Sequence, residues 1–532
     1  MAEMNLGDVS KLSPFELKDK LIEVARDSKG SLMLNAGRGN PNFLSTVPRE
    51  AFFEWGHFAL QEAERSFSYL TVGLGGFPRK EGIESRMELF LHEKSGSVGV
   101  KFIQNAISYV RDQLGYNCAD FIYEMTEGIL GIMYPSPDRM LSMSEKIVGQ
   151  YIKKEMVGGE PFKSEFDIFA VEGGTAAMAY VFDALEENFI LRKGDTIALG
   201  VPIFTPYLEI PRLREYDLVE IDVVAKYEDN WQFSDESLDK LLDPKVKAFF
   251  LVNPSNPPSV KMSDQKLEYL AKIIEKRPDL IVLTDDVYGT FADSFKSIFA
   301  KCPQNTILVY SYSKYFGATG WRLGVIALAK DNAIDQKIKN HPAQTRKALN
   351  NRYASISPDP ESIKFIDRLV AESRAVGLNH TAGLSTPAQV QMVLFSLFAL
   401  MDYEDAYKTA VKRLIKHRKE GLYKELRVTD VENVNSVDYY NLLELDVIAE
   451  QIYGKDFSDW LAKRLKPNEA LFRLAKEAGT VLLPASGFGT TDPGFRVSLA
   501  NLNEFDYVKI GQAVHIVLDE YYQEFDILPS LK

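Results

Sequence analysis

Between residues 168 and 327 seven short apolar runs punctuate the chain: Ile168 to Val171, Thr196 to Val201, Leu218 to Val224, Ala248 to Val252, Leu280 to Thr284, Thr306 to Tyr310 and Leu323 to Ala327. Most are apolar throughout rather than alternating, as strands covered on both faces must be. The first is followed by Met178, Val181, Phe182, Leu185 and Phe189 at the spacing of one helix face. Repetition of strand and helix predicts an α/β fold, a mainly parallel seven-stranded sheet sandwiched by helices. In such a sheet, ligands gather beyond the carboxyl ends of the strands.

From about residue 395 the pattern changes to longer helices, Tyr403 to Leu426, Phe457 to Leu465, Pro467 to Ala478 and Glu504 to Tyr522. Strands near Tyr439 to Leu445, Val481 to Pro484 and Phe495 to Leu499 complete a smaller α+β domain. The segment from about 84 to 165 carries helix-like stretches rich in Tyr, Met and charge and belongs clearly to neither pattern.

Composition removes whole classes of function. Against 62 Lys+Arg stand 75 Asp+Glu, a net charge of −13 that disfavours a nonspecific phosphate-backbone binder, so no nucleic-acid partner is expected. Cys118 and Cys302 are the two cysteines, too few for a disulfide framework or a cysteine zinc site, and six scattered His form no HxxxH or HxH pair. No metal is expected. The first residues lack a basic start followed by an apolar block, and no apolar stretch reaches the roughly 18 residues that span a bilayer. A reduced cytoplasmic protein without membrane attachment is the expectation.

The densest chemistry follows the run TILVY: Ser311, Ser313, Lys314, then Gly317, Gly320 and Arg322. A lone loop lysine is ordinarily just solvated. Here an arginine eight positions on and a serine three positions back supply anion ligands beside an amine able to form an imine, a set that suits a phosphorylated aldehyde. After LIVLT comes Asp285-Asp286-Val287-Tyr288. An Asp there is commonly a turn former, yet a pyridine cofactor needs a carboxylate at its ring nitrogen and gains from a phenol near its ring oxygen. Glu172-Gly173-Gly174-Thr175 joins a strand to an amphipathic helix, where free N–H groups and the dipole favour phosphate, although such glycine pairs are usually turns. Asn253-Pro254-Ser255-Asn256-Pro257-Pro258 follows FFLV and could be a rigid loop.

In this order, and with Gly494-Phe495-Arg496 near the C-terminus, the motifs resemble those of pyridoxal 5′-phosphate (PLP) enzymes with the aspartate aminotransferase fold, fold type I. The resemblance covers roughly residues 30 to 80 and 165 to 520. With its extra segment and its LNAGRGNPNF opening, the whole chain resembles the bacterial aspartate 4-decarboxylases, which convert L-aspartate to L-alanine. The resemblance implies that Lys314 holds PLP covalently and shuttles protons. Asp285 would pair with the ring nitrogen, Tyr288 and Asn256 would contact its O3′, and Phe204 would stack on the ring. Gly174, Thr175, Ser311 and Arg322 would hold the phosphate, joined by Tyr69 from a neighbouring subunit, and Gly173 and Ser313 would also contact the cofactor. Arg496 would take the α-carboxylate through a bidentate fork, and Asn256 and Gly39 would also bind the substrate.

Two departures stand out. Asn256-Pro257-Pro258-Ser259 replaces the usual Asn-Pro-Thr-Gly, and Arg38 stands between Gly37 and Gly39 where relatives carry an apolar residue. Arg38 is the candidate for the second carboxylate, against an ordinary surface arginine. The expected division is an N-terminal arm over 1–65, a large PLP domain over 66–385 with a helical insertion at about 84–165, and a small α+β domain over 386–532. The resemblance also implies a homo-oligomer, at least a dimer with shared active sites, a dodecamer built from dimers being one form it could take.

The expected activity is β-decarboxylation of L-aspartate with a side aspartate aminotransferase activity. The alternative is an aminotransferase alone, since the two reactions share their first steps. A ligand sensor built on the same module would need a basic DNA-binding segment that the acidic N-terminus lacks, and a scaffold has no need of both Lys314 and Asp285.

Overall fold

A computed structural model describes residues 14–26, 33–70, 73–222, 230–374, 383–489 and 494–527. Seven strands form one mixed, mostly parallel sheet: β2 (Phe166–Val171), β3 (Thr196–Val201), β4 (Asp217–Asp222), β5 (Val246–Val252), β6 (Ile281–Asp285), β7 (Thr306–Ser311) and β8 (Gly324–Ala329), in the order β2-β8-β7-β6-β5-β3-β4. Each expected apolar run is a strand. Neighbours β6 and β7 run parallel, as do β3 with β4 and β5, whereas β8 is antiparallel to both β2 and β7. Strand β4 departs from the continuous burial of the others: of Asp217–Asp222 only Ile221 is buried, because β4 is an edge strand with an alternating sequence. The end of its expected run, Val223 and Val224, lies outside the described residues.

The chain forms two compact units, one of Met1–Phe43, Gly194–Ile273 and Lys408–Lys532, the other of Leu44–Lys193 and Ile274–Tyr407. In the second unit the segment that fitted neither sequence pattern is helical, as Ile83–Glu93, Val98–Asp112, Cys118–Leu130 and Ser142–Met156. It is not padding. Ile103, Phe121, Met125, Ile147 and Tyr151 are fully buried, and Tyr151 shares a 2.7 Å hydroxyl hydrogen bond with Tyr310 of β7. Trp55, also fully buried, donates to Thr126 at 3.2 Å. A Cβ on Gly99 would stand 2.7 Å from the backbone nitrogen of Ala51, so glycine lets the helices Val47–Arg65 and Val98–Asp112 cross closely.

In the first unit a three-stranded antiparallel sheet has β12 (Gly494–Ser498) between β9 (Tyr440–Glu444) and β11 (Leu483–Pro484). The single strand expected over Val481 to Pro484 is two. β10 (Thr480–Val481) pairs in parallel with β1 (Leu34–Asn35), and β11 turns to β12. Leu482 between them is fully buried. The apolar run is therefore continuous although its hydrogen bonds go to two partners. Among the described residues, no helix is long and apolar enough to cross a membrane.

Candidate active site

In the second unit, strand register builds one edge of the site. Val171 of β2, Gly324 of β8 and Ser311 of β7 form a single row across three strands. Just beyond it the chain carries Gly173, Ser313, Lys314 and Arg322. Ser311 donates its hydroxyl to the Leu323 carbonyl at 3.2 Å and lies 3.0 Å from the Ser313 hydroxyl. Lys314 is half-buried.

Arg322 takes a left-handed φ of 56° and donates to the carbonyls of Thr319 and Glu172, each at 3.1 Å. Gly173, at φ 89°, lies under that guanidinium, where a Cβ would stand 2.5 Å from its Nη2. Only glycine permits both the backbone conformation and the approach. From Gly174 a helix runs to Glu187, starting without a side-chain cap, so its first N–H groups and the positive end of its dipole remain available for an anion. Thr175 is exposed in its first turn.

Strand β6 ends in Asp285, which pairs across to Val309, two residues short of Ser311. The Asp285 carboxylate is buried and accepts from the Val287 N–H at 3.3 Å. Tyr288 is buried a few residues on. Asp286 is fully buried beside it, and burial pushes its carboxyl up to about 7, helped by repulsion from Asp285 and opposed by the hydroxyls of Ser297 and Thr284. Because the folded value exceeds the ordinary 3.8, the neutral acid favours the fold, an effect fully present below about pH 3.8 and lost as pH rises through about 7. Asp286→Asn should therefore flatten the decline of the melting temperature between about pH 5.5 and about pH 8, by roughly two degrees or more. An unchanged decline in the variant would show that Asp286 does not titrate in the native protein over this range.

The loop after Lys314 is braced by a residue that the sequence did not mark. Arg49 donates to the carbonyls of Phe316 at 3.0 Å and Gly317 at 2.7 Å, and its guanidinium lies 5.1 Å from the Phe395 ring centroid. Tyr69 is 75% exposed and makes no described hydrogen bond to the phosphate-binding candidates of its own chain.

In the first unit the central group is Arg496, on the middle strand β12 and 3% exposed. It donates from Nη1 to Asn256 Oδ1 at 3.1 Å and from Nη2 to the Gly37 carbonyl at 2.8 Å. Its guanidinium lies between the rings of Tyr440 and Phe488, 4.3 and 4.8 Å from their centroids, and its buried Nε has no hydrogen-bond partner. An arginine so held is fixed in place with donor capacity left for an anion. Tyr440 and Phe488 carry no local signal of this role. Asn256 is buried, Phe204 is half-buried after β3, Gly39 accepts from Tyr439 at 2.7 Å, and Arg38 is exposed.

The sequence model of the aminotransferase class I and II family matches residues 161–514. The chain belongs to that family. A bifunctional aspartate aminotransferase and L-aspartate beta-decarboxylase of a Pseudomonas species is 57% identical over 521 residues, covering 98% of each chain. An aspartate/prephenate aminotransferase of Nitrosomonas europaea is 27% identical over 207 residues, 36% of this chain and 51% of that one. A double mutant of Thermus thermophilus aspartate aminotransferase has the same fold, with a TM-score of 0.58 at 18% identity over 97% of this chain and all (100%) of that one.

The cofactor of this class I and II aminotransferase is pyridoxal 5′-phosphate. The donor set of the second unit fits it. An uncapped helix start, the Ser311 and Ser313 hydroxyls and the Arg322 guanidinium suit a phosphate, a buried carboxylate at Asp285 suits a protonated pyridine, and the Lys314 amine suits an aldehyde.

Proposed function

We propose that this chain converts L-aspartate to L-alanine and CO2 by β-decarboxylation, with aspartate aminotransferase activity at the same site. The observation that carries this reading is the 57% identity over 98% of both chains to a relative named for both activities. When bound, PLP supplies an electron-withdrawing system that takes up the electrons released as bonds at the substrate's Cα and Cβ break.

The chain's own residues do the rest. Lys314 removes the proton at Cα and returns protons to the product carbons. Asp285 would hold a proton on the ring nitrogen of the bound cofactor, Tyr288 and Asn256 would contact its O3′, and Phe204 would stack on its ring. Gly174, Thr175, Ser311 and Arg322 would hold its phosphate, and Gly173 and Ser313 would also contact the cofactor. Arg496 restrains the α-carboxylate, so that Cα–H rather than the bond to that carboxylate breaks first, and Asn256 and Gly39 also line the substrate.

Arg38 takes the β-carboxylate, and its exposure suits that task. An ion pair stronger in the ground state than in the transition state would slow loss of CO2. A solvated arginine binds a carboxylate more weakly than one buried like Arg496, which is 3% exposed.

The active protein is a homo-oligomer, at least a dimer, to which Tyr69 contributes across a subunit boundary; Phe53, Leu60, Leu74 and Phe77 of the same unit are more than half exposed, as residues awaiting a second copy would be. By role rather than by compactness, residues 66–385 bind the cofactor, with 1–65 as an arm and 386–532 as a small domain. Cys118 and Cys302 are buried as thiols rather than joined in a disulfide, which suits the cytoplasm.

Product analysis tests the activity. Incubated with L-aspartate and no keto acid, the holoenzyme should release many equivalents of alanine and CO2 per active site before slowing. A single equivalent of oxaloacetate without alanine would instead establish an aminotransferase alone.

A further inference from the structure

The strip Leu34 to Phe43 carries Gly37, whose carbonyl meets Arg496, and Arg38, the next residue. How this strip is anchored decides where Arg38 stands. On its N-terminal side the backbone is secured by pairing of β1 with β10, by the Ala36 N–H to the Val481 carbonyl at 3.0 Å, and by the Ser498 N–H to the Ala36 carbonyl at 2.8 Å. Farther along, Arg418 donates to Asn42 Oδ1 at 2.7 Å, and the Asn42 N–H bonds the Ala500 carbonyl at 2.9 Å. Between these anchors lies Gly37-Arg38-Gly39, with glycines on both sides of the arginine and little intrinsic stiffness.

Two side chains bracket it. Arg496 holds the Gly37 carbonyl, and Tyr439 donates its hydroxyl to the Gly39 carbonyl at 2.7 Å. Tyr439 is fully buried, its carbonyl is bonded by the Leu499 N–H at 3.0 Å, and its ring lies 5.0 Å from that of Tyr440. Tyr440 is one of the two rings that stack on Arg496. Adjacent tyrosines at the start of β9 thus serve two arginines, one by supporting a guanidinium and the other by fixing the backbone on the far side of Arg38.

We propose that Tyr439 is a positioning residue for Arg38, and so a determinant of specificity for a substrate with a second carboxylate. This rests on the reading of Arg38 as the β-carboxylate's partner. Losing the hydrogen bond removes the hold of Tyr439 on the Gly39 carbonyl and lets Arg38 sample positions away from the substrate. L-Alanine has no β-carboxylate, so its use as an amino donor should be indifferent to Arg38, whereas general damage to the fold or to cofactor binding lowers both.

The experiment measures kcat/KM for L-aspartate and, by single-turnover absorbance, for L-alanine, in holoenzymes of wild type, Tyr439→Phe, Arg38→Ala and the double variant, each checked by thermal melting. Tyr439→Phe should lower the aspartate value roughly tenfold, mainly through KM, and leave alanine within about twofold. Arg38→Ala should lower aspartate at least as much, and the double variant should be no worse than Arg38→Ala. A selective Arg38→Ala beside a Tyr439→Phe that is neutral, or that harms both substrates alike, overturns the positioning role alone. An Arg38→Ala that does not discriminate overturns the reading of Arg38 and this inference together.

Discussion

Lys314→Ala should abolish alanine formation and transamination together, each by about a thousandfold or more, the range expected when a general acid–base group is removed. The reason is chemical economy: both reactions begin with proton removal at the same carbon, and both need an amine to return the proton. The hydroxyls beside Lys314 are already engaged. The hydroxyls of Ser311 and Ser313 are committed to each other and to the Leu323 carbonyl, and those of Tyr310 and Tyr312 are fully buried and bonded to Tyr151 and Ser396. Because Lys314 is only half-buried and the loop after it is braced by Arg49, the melting temperature should change little. Rates of both activities, measured on one preparation of known cofactor content, check this. Survival of either activity at a tenth of wild type would remove Lys314 from the centre of the chemistry.

Arg496→Ala should cost about a thousandfold in kcat/KM for aspartate while cofactor content stays near that of wild type. Truncating one partner of a buried, hydrogen-bonded charge pair typically costs about 2–5 kcal/mol, and the substrate's α-carboxylate would lose its fork in this variant. The change also strips donors from Asn256 Oδ1 and the Gly37 carbonyl and opens a gap between the rings of Tyr440 and Phe488. Arg496→Lys separates charge from shape. A lysine keeps the charge but cannot satisfy both acceptors, stack between two rings and present parallel N–H groups, so it should recover little. Steady-state kinetics with a parallel cofactor assay distinguishes these effects. A loss below tenfold in Arg496→Ala would mean that the α-carboxylate is bound elsewhere.

Much of the fold was legible because burial on both faces writes strands as unbroken apolar runs. Strands β6, β7 and β8 are buried throughout, and their sequences stand out accordingly. Asp285 and Ser311 are the last residues of their strands, which is why motifs read at the ends of apolar runs fell at one edge of the sheet. Where burial is complete around a helix, periodicity vanishes. Thr386–Met401 is buried on nearly every side and so carries no amphipathic signature. The strand over Val481 to Pro484 divided because apolar pattern records burial but not which partner takes the hydrogen bonds. Arg49, 267 residues before the Phe316 carbonyl it holds, and Phe488, pressed on a guanidinium, act through contacts that only the folded chain creates.

Reductive trapping tests the central claim most directly. Borohydride treatment of the holoenzyme, followed by peptide mapping, should fix the reduced cofactor to the peptide bearing Lys314 and remove its visible absorbance in proportion. A tag on any other side chain, or a purified protein that stays colourless after reconstitution with PLP, would contradict the account.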